Sequence, residues 1–391
     1  MKNLSNKLSN IPPSMTLAVN DKAKAMQRAG HDVIALAGGD PDFDTPAHIV
    51  DAAYRAINNG ATHYPAPMIG IPEALEAVAA KMARDNHIHV DPMRHIILTP
   101  GGKWGLFLAL SAILNPGDEV LILEPYWVSY PSMVPLAGGI AVPVSLPSND
   151  NFRITADLLR AHITPQTKAL LLNNPCNPTG RVMTQAEQDA IVEVATAADI
   201  YVIADEIYEK LVYDGRSHLS IAAAPGMAER TLTVNGLTKS YAMTGWRMGW
   251  LVAPEPIIKL ATILNGQSVS CAATFTMHAC AAALNGPQDI IAEMRDSYRA
   301  RRDFMVKSLN EIDGVACRSI EGAFYLFPSF PHSRKNSVEL ADALLDKAGI
   351  AGVPGIAFGR SGEGHVRFSI ATAMTDLEKA VERLAKIAHE L

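Results

Sequence analysis

The decisive stretches are Lys168–Gly180 (KALLLNNPCNPTG), Ile200–Tyr208 (IYVIADEIY) and Thr231–Lys239 (TLTVNGLTK). Each opens with a short apolar run and ends abruptly on polar side chains. Runs that are apolar throughout, rather than alternating, belong to strands covered on both faces. Working outward, the same signature predicts strands at His95–Thr99, Glu119–Leu123, Ile140–Val144 and Met248–Val252. Helical patterns at Gly105–Leu114, Ile154–His162 and Gln185–Ala198 lie between them. This alternation predicts an α/β architecture with a mostly parallel, seven-stranded sheet flanked by helices.

The last hundred residues do not alternate in this way. They predict a long amphipathic helix over Gln288–Asn310, with Arg295, Arg299, Arg301 and Arg302 on its wet side. Strands are expected in Gly322–Leu326 and His365–Ser369, and a closing helix over Met374–Leu391. The expected organisation is a large domain over 46–290 and a smaller α+β domain built from both chain ends, 1–45 and 291–391. A chain of 391 residues exceeds what one core usually serves, which agrees with two units.

With 48% hydrophobic and 19% charged residues, the chain is neither disordered nor fibrous. Its net charge of −6 gives no pull toward nucleic acid or an anionic membrane. The longest apolar stretch, Gly105–Leu114, is about half of what a bilayer requires. The N-terminal MKNLSNKLSNIPPS has no apolar core of a secretory leader. Cys176, Cys271, Cys280 and Cys317 form no CxxC pair, and the histidines show no HxxxH or HExxH spacing, so no metal is expected. Isolated thiols without a leader fit the cytoplasm.

In open α/β sheets, ligands bind beyond the carboxyl ends of the strands. Five strand ends here carry chemistry: Gly101-Gly102-Lys103 at a helix start, Tyr126-Trp127, Asn177, Asp205 with Tyr208, and Thr238-Lys239. Each alone has a plain structural reading as a turn, a core aromatic, a cap or a solvated lysine. Together they offer an anion cradle, a flat aromatic plate, an amide, a carboxylate and an amine at one edge. A lysine that forms a Schiff base must be partly desolvated or near positive charge, so that it is neutral when it attacks. A buried carboxylate keeps a ring nitrogen protonated, and a helix N-terminus with an arginine such as Arg247 holds a phosphate. Pyridoxal 5′-phosphate requires all of these at once.

At these residues the sequence resembles the class I aminotransferase family of fold type I, and most the bacterial aspartate aminotransferase subgroup. The resemblance begins at Pro13-Ser14 and Gly39–Pro46 and continues through Asn115–Asp118, Pro125–Pro131, Asn177–Gly180 and Asp205–Tyr208. It is densest in Thr238–Gly249 (TKSYAMTGWRMG) and closes on Val366–Ser369. It implies that Lys239 holds the cofactor covalently and shuttles a proton, that Asp205 pairs with the pyridine nitrogen, and that Tyr208 and Asn177 bond the ring O3′. Trp127 would stack on the ring, and Gly101, Gly102, Lys103, Thr238 and Arg247 would surround the phosphate. Arg367 would grip the substrate α-carboxylate as a planar fork, with the backbone at Gly39 closing over it. Tyr64 would reach the phosphate of a neighbouring subunit, which implies a homodimer with active sites at the interface.

Three stretches depart from the family pattern. Five residues rather than four separate Tyr64 from Gly70, Trp104-Gly105 stands where relatives tend to have Gln-Ala, and Ser268–Met277 lacks a Ser-Pro. The expected reaction is ping-pong transamination, first of all aspartate with 2-oxoglutarate, since Lys103 sits where subgroup members meet a distal carboxylate. Aromatic, alanine or branched-chain donors are the alternatives, with Trp104 beside Lys103. A β-eliminating C–S lyase would use the same constellation, but such lyases usually carry tyrosine at the position of Trp127. A ligand sensor fused to a DNA-binding head is disfavoured because the resemblance begins within the first fifteen residues.

Overall fold

The computed structural model describes residues 4–9 and 11–391, so part of the N-terminal stretch read for a leader (1–3 and 10) lies outside the described residues. The strands in chain order are β1 (Ile34–Ala35), β2 (Ile96–Thr99), β3 (Glu119–Glu124), β4 (Ile140–Ser145), β5 (Thr167–Asn173) and β6 (Tyr201–Asp205). They are followed by β7 (Thr231–Gly236), β8 (Gly249–Val252), β9 (Tyr325–Leu326), β10 (Ile350–Ala351), β11 (Val353–Pro354) and β12 (Val366–Ser369). Seven of them form one sheet in the order β2-β8-β7-β6-β5-β3-β4. Only β8 runs against its neighbours β2 and β7; the other pairings are parallel. The expected mostly parallel seven-stranded sheet is therefore present.

The apolar runs are buried for the expected reason. Ile97, Ile122, Leu171, Ile203, Val234 and Leu251 lie in a core with the helix Gly102–Ile113 on one face of the sheet. Leu121, Leu170, Leu172 and Val202 meet the helix Gln185–Ala197 on the other. That helix begins with a capping box, Thr184 accepting from the Glu187 amide while Glu187 accepts from the Thr184 amide. Met277 and Cys280 fill the buried side of the helix Thr274–Asn285.

The chain ends meet. β1 pairs in parallel with β10, and Ile34 and Leu36 enter a core formed mainly from residues 294–384. β9 and β11 flank β12 antiparallel, so Arg367 sits on the central strand of a small sheet. Among the described residues no helix is long and apolar enough to cross a membrane.

The helix Asp289–Asn310 corrects one expectation. Arg295 and Arg299 face solvent, but Arg302 is buried at 4% exposure. Its guanidinium grips Asp214 through both terminal nitrogens at 2.6 and 2.9 Å, donates to the Ile320 carbonyl at 3.1 Å and lies 5.0 Å over the Tyr213 ring. Arg301 is turned partly inward as well, bonding Asp42 at 2.8 Å and the Ile370 carbonyl. A helix of 22 residues crosses more than one environment, so a single wet stripe could not describe all four arginines. Arg302→Ala should cost about 1–3 kcal/mol in denaturant unfolding, through lost packing and bidentate bonding. Arg295→Ala and Arg299→Ala should stay within about 0.5 kcal/mol of wild type. Equal effects at all three positions would contradict this distinction.

Candidate active site

The carboxyl ends of β2, β5, β6 and β7 open onto a cavity of about 290 Å³. Gly39, Gly102, Lys103, Trp127, Asn177, Asp205, Tyr208, Thr238, Lys239, Arg247 and Arg367, all singled out in the sequence, line it. Gly101 lies just behind the wall and Tyr64 lies elsewhere. The sheet register explains the convergence: Asn173 of β5 lies level with Asp205 of β6, and Gly236 of β7 beside Gly249 of β8.

Backbone shape builds the anion cradle. Gly101 caps the helix Gly102–Ile113 at φ +83°, and a Cβ there would meet the Arg247 guanidinium at 2.5 Å. A Cβ on Gly249 would stand 2.7 Å from the Gly102 amide nitrogen. The bare backbone at both positions lets a helix N-terminus and a guanidinium approach one point, where anions are favoured.

Three ionisable groups meet in this cavity, Asp205 and Arg367 buried and Lys239 half-buried, and none makes a direct ion pair among the described residues. Asp205 sits at the end of β6, where burial pushes its carboxyl from 3.8 up to about 6, opposed by a 2.7 Å hydrogen bond from Tyr130 Oη and by the Ile207 amide. Burial likewise brings Lys239 down to about 8; Asp40 opposes this, and Arg367 and Arg247 add to it. The Lys239 ammonium donates to the Gly39 carbonyl. Arg367 is 2% exposed and donates to Asn177 Oδ1 at 3.0 Å and the Ala37 carbonyl at 2.7 Å. Its Nε has no partner, and its plane lies 4.3 Å from the Tyr325 ring. Burial alone lowers its affinity for the proton, because no carboxylate offsets it.

Several lining residues escaped sequence reasoning. Tyr130 stands three positions after Trp127, starts a short helix and packs edge-on to the indole at 5.4 Å. Tyr325 shares a 3.1 Å hydrogen bond with Tyr208 and supports Arg367. Asn173 donates to the Asp205 carbonyl and accepts from the Asn177 amide. Thr16, Thr244 and Ile207 also face the cavity, and the Thr16 hydroxyl is buried without a partner. The 239–246 loop is stitched to the 39–45 segment by Thr244 to Asp40, Thr45 to the Ala242 carbonyl and Trp246 to Thr45. An apolar pattern reports burial but not which tyrosine hydroxyl turns inward, so only the spacing Trp127–Tyr130 offered a signal.

Lys103 and Trp127 meet directly, the ammonium lying 4.8 Å over the indole, and burial together with Arg247 lowers the lysine's proton affinity. Trp104 does not face the cavity: its indole NH donates to the buried Asn265 at 2.8 Å and its ring packs on Phe107. Tyr64 is 77% exposed and lines a separate groove with Arg55 and His278.

A family profile described as aminotransferase class I and II matches residues 31–384. An aspartate aminotransferase of Geobacillus stearothermophilus is 42% identical over 387 residues, covering 97% of this chain and 98% of that protein. Aromatic-amino-acid aminotransferase 2 of Thermococcus litoralis is 40% identical over 99% of this chain and 98% of its own length. The solved structure of aspartate aminotransferase from Thermus thermophilus with maleate superposes at a TM-score of 0.94 and 42% identity, over 99% of this chain and all of that one.

The burial of Asp205 has a consequence for stability. Between about pH 4 and 6 the unfolded chain releases a proton that the folded chain keeps, so ligand-free protein loses up to about 3 kcal/mol as pH rises through that window. Asp205→Asn removes this cost while leaving an acceptor for Tyr130. It should raise the melting temperature of ligand-free protein at pH 8 and change it little at pH 4; an equal or lower value at pH 8 would contradict the assignment.

Proposed function

The chain belongs to the class I and II aminotransferase family, and on that premise we propose that it transfers the amino group of L-aspartate to 2-oxoglutarate with pyridoxal 5′-phosphate as its cofactor. The observation that carries this reading is Arg367, a buried guanidinium with neutral partners only, in one cavity with a half-buried amine and a buried carboxylate. Buried charges are retained when something pairs with them. An amino acid's carboxylate suits Arg367, a cationic ring nitrogen suits Asp205, and an aldehyde suits Lys239.

When bound, pyridoxal phosphate supplies the electron sink that makes the substrate Cα–H acidic. The chain's own residues do the rest. Lys239, whose amine burial brings down to about 8, would hold the cofactor and move the proton at the substrate Cα. Asp205 would hold the proton on the ring nitrogen, and Tyr130 orients its carboxylate. Tyr208 and Asn177 would offer hydrogen bonds to the ring's O3′, and Trp127 would pack on the ring. Gly101, Gly102, Lys103, Thr238 and Arg247 hold the phosphate. Arg367 and the backbone at Gly39 orient the α-carboxylate.

Lys103 and the free Thr16 hydroxyl give the cavity polar handles for a second carboxylate, and the Thermus thermophilus neighbour was solved with maleate, a dicarboxylate. The stacking of Lys103 on Trp127 and the Thermococcus litoralis relative favour aromatic donors as the second reading. Trp104, turned away toward Asn265, adds nothing to it. In this reading residues 46–290 form the large domain and 1–45 with 291–391 the small one. The cavity is their seam, with Lys239 and Asp205 on one side and Gly39 and Arg367 on the other.

A homodimer would account for the apolar side chains Tyr54, Ile57, Leu260 and Ile263, all more than 40% exposed, and for Tyr64, exposed and outside its own chain's cavity, which would then reach a partner's. Four free cysteines suit the cytoplasm.

The test is a half-reaction. Protein loaded with pyridoxal phosphate and mixed with L-aspartate should convert the cofactor absorbance to that of the amine form, and 2-oxoglutarate should reverse it. Lys103→Ala should lower kcat/KM for aspartate about tenfold or more and for alanine much less. No conversion with any amino acid would refute transamination, and equal losses would remove Lys103 from the distal carboxylate.

A further inference from the structure

Behind the wall that carries Asp205 and Tyr208 lies a second, separate cluster of buried charge. Asp205 ends β6, and the Glu206 amide still bonds the Val234 carbonyl, but from Ile207 to Lys210 the chain makes turns without helix or sheet pairing, the Glu209 amide bonding the Glu206 carbonyl and the Leu211 amide the Tyr208 carbonyl. Asp205, Ile207 and Tyr208 face the cavity. Glu206 and Glu209 point the other way, to the last turn of the helix Pro72–Asn86 and to the 218–220 segment.

The bonds there are dense. Lys81 pairs with Glu209 and donates to Asn86 Oδ1. Asn86 Nδ2 lies within hydrogen-bond distance of Glu206 at 2.9 Å, Glu209 at 2.6 Å and Ser220 Oγ at 2.8 Å. Ser220 donates to Glu206 at 2.8 Å. His218 Nε2 lies 3.2 Å from Glu206 Oε2 without the alignment of a hydrogen bond. Lys81, Asn86, Glu206, Glu209 and Ser220 are each buried. At the edge, Lys210 pairs with Asp85 at 2.7 Å, and Arg84 with Asp85 at 2.9 Å. Glu206, Glu209 and His218 could face a metal ion, but the Lys81 ammonium already fills the cation's place against Glu209.

Nothing in this cluster touches the cavity, yet an ion pair of this kind is an expensive way to stabilise a fold, since apolar residues of similar volume often do as well. What it adds is a fixed geometry just past the end of β6, where residues 207–210 have no regular backbone pairing. We infer that the Lys81–Glu209 pair, with Asn86, Glu206, Ser220 and His218, positions Asp205 and Tyr208 from behind by clamping the intervening residues to the helix Pro72–Asn86. This inference rests on the function proposed above. The five side chains of residues 205–209 thus divide their work, Asp205, Ile207 and Tyr208 toward the cavity and Glu206 and Glu209 toward the clamp.

The test uses Lys81→Met/Glu209→Gln, which removes both charges together and leaves neither stranded, with His218→Gln as a second variant at the opposite end of the clamp. The readouts are the dissociation constant for pyridoxal phosphate added to ligand-free protein, the pH midpoint of the loaded protein's absorbance change, and kcat and KM. Misplacing Tyr208 and Asp205 should weaken cofactor binding about tenfold, raise the midpoint by about half a pH unit or more, and lower kcat about tenfold, while KM, set by Arg367, stays within about threefold. These changes in either variant support the clamp. Wild-type cofactor affinity, midpoint and kcat in a folded variant, with only the melting temperature lowered, would overturn it. Wild-type protein that binds no pyridoxal phosphate would sink the parent reading and this one together, an outcome read before any variant is made.

Discussion

A charge taken out of water must be paired or its protonation shifts, and the cavity at the sheet edge holds three that the protein itself leaves unpaired. Arg367 and Asp205 are buried and Lys239 is half-buried, and none forms a direct ion pair among the described residues. A fold selected only for stability would have joined the carboxylate to one of the cations or replaced all three. Here they are held apart by neutral supports: Tyr130 for the carboxylate, Asn177 and the Ala37 carbonyl for the guanidinium, the Gly39 carbonyl for the amine. Their separation leaves room for a ligand that carries an anion, a cation and an electrophile, which an amino acid and pyridoxal phosphate supply between them.

The rest of the fold serves that separation. Parallel strands bring Asn173, Asp205 and Gly236 to one edge, and glycines at 101 and 249 draw a helix N-terminus onto Arg247. The chain's two ends, joined by β1 and β10, carry Gly39 and Arg367 over the same opening. Side chains on the far side of the 205–209 turn then decide how firmly that edge is held.

Much of this was legible in the sequence because the governing signals are local. Fully apolar runs that end on polar residues gave all seven strands of the main sheet, and every expected site residue except Gly101 and Tyr64 lines the cavity. Gly101 acts through its neighbour Arg247, and Tyr64 lies on an exposed face away from the cavity. What stayed hidden depends on contacts between distant segments. Nothing near Arg302 in the sequence announces Asp214 and Tyr213, and nothing near Tyr325 announces Tyr208 and Arg367. The clamp residues are spread from 81 to 220, and Glu206 and Glu209 read as ordinary turn acids until their direction is known.

The measurement closest to the central claim is chemical trapping. Protein incubated with pyridoxal phosphate, reduced with borohydride and digested should yield one peptide bearing the reduced cofactor, the one containing Lys239. Label on the Lys103 peptide instead, the other lysine in the cavity, or an unlabelled Lys239 peptide at saturating cofactor, would contradict the account.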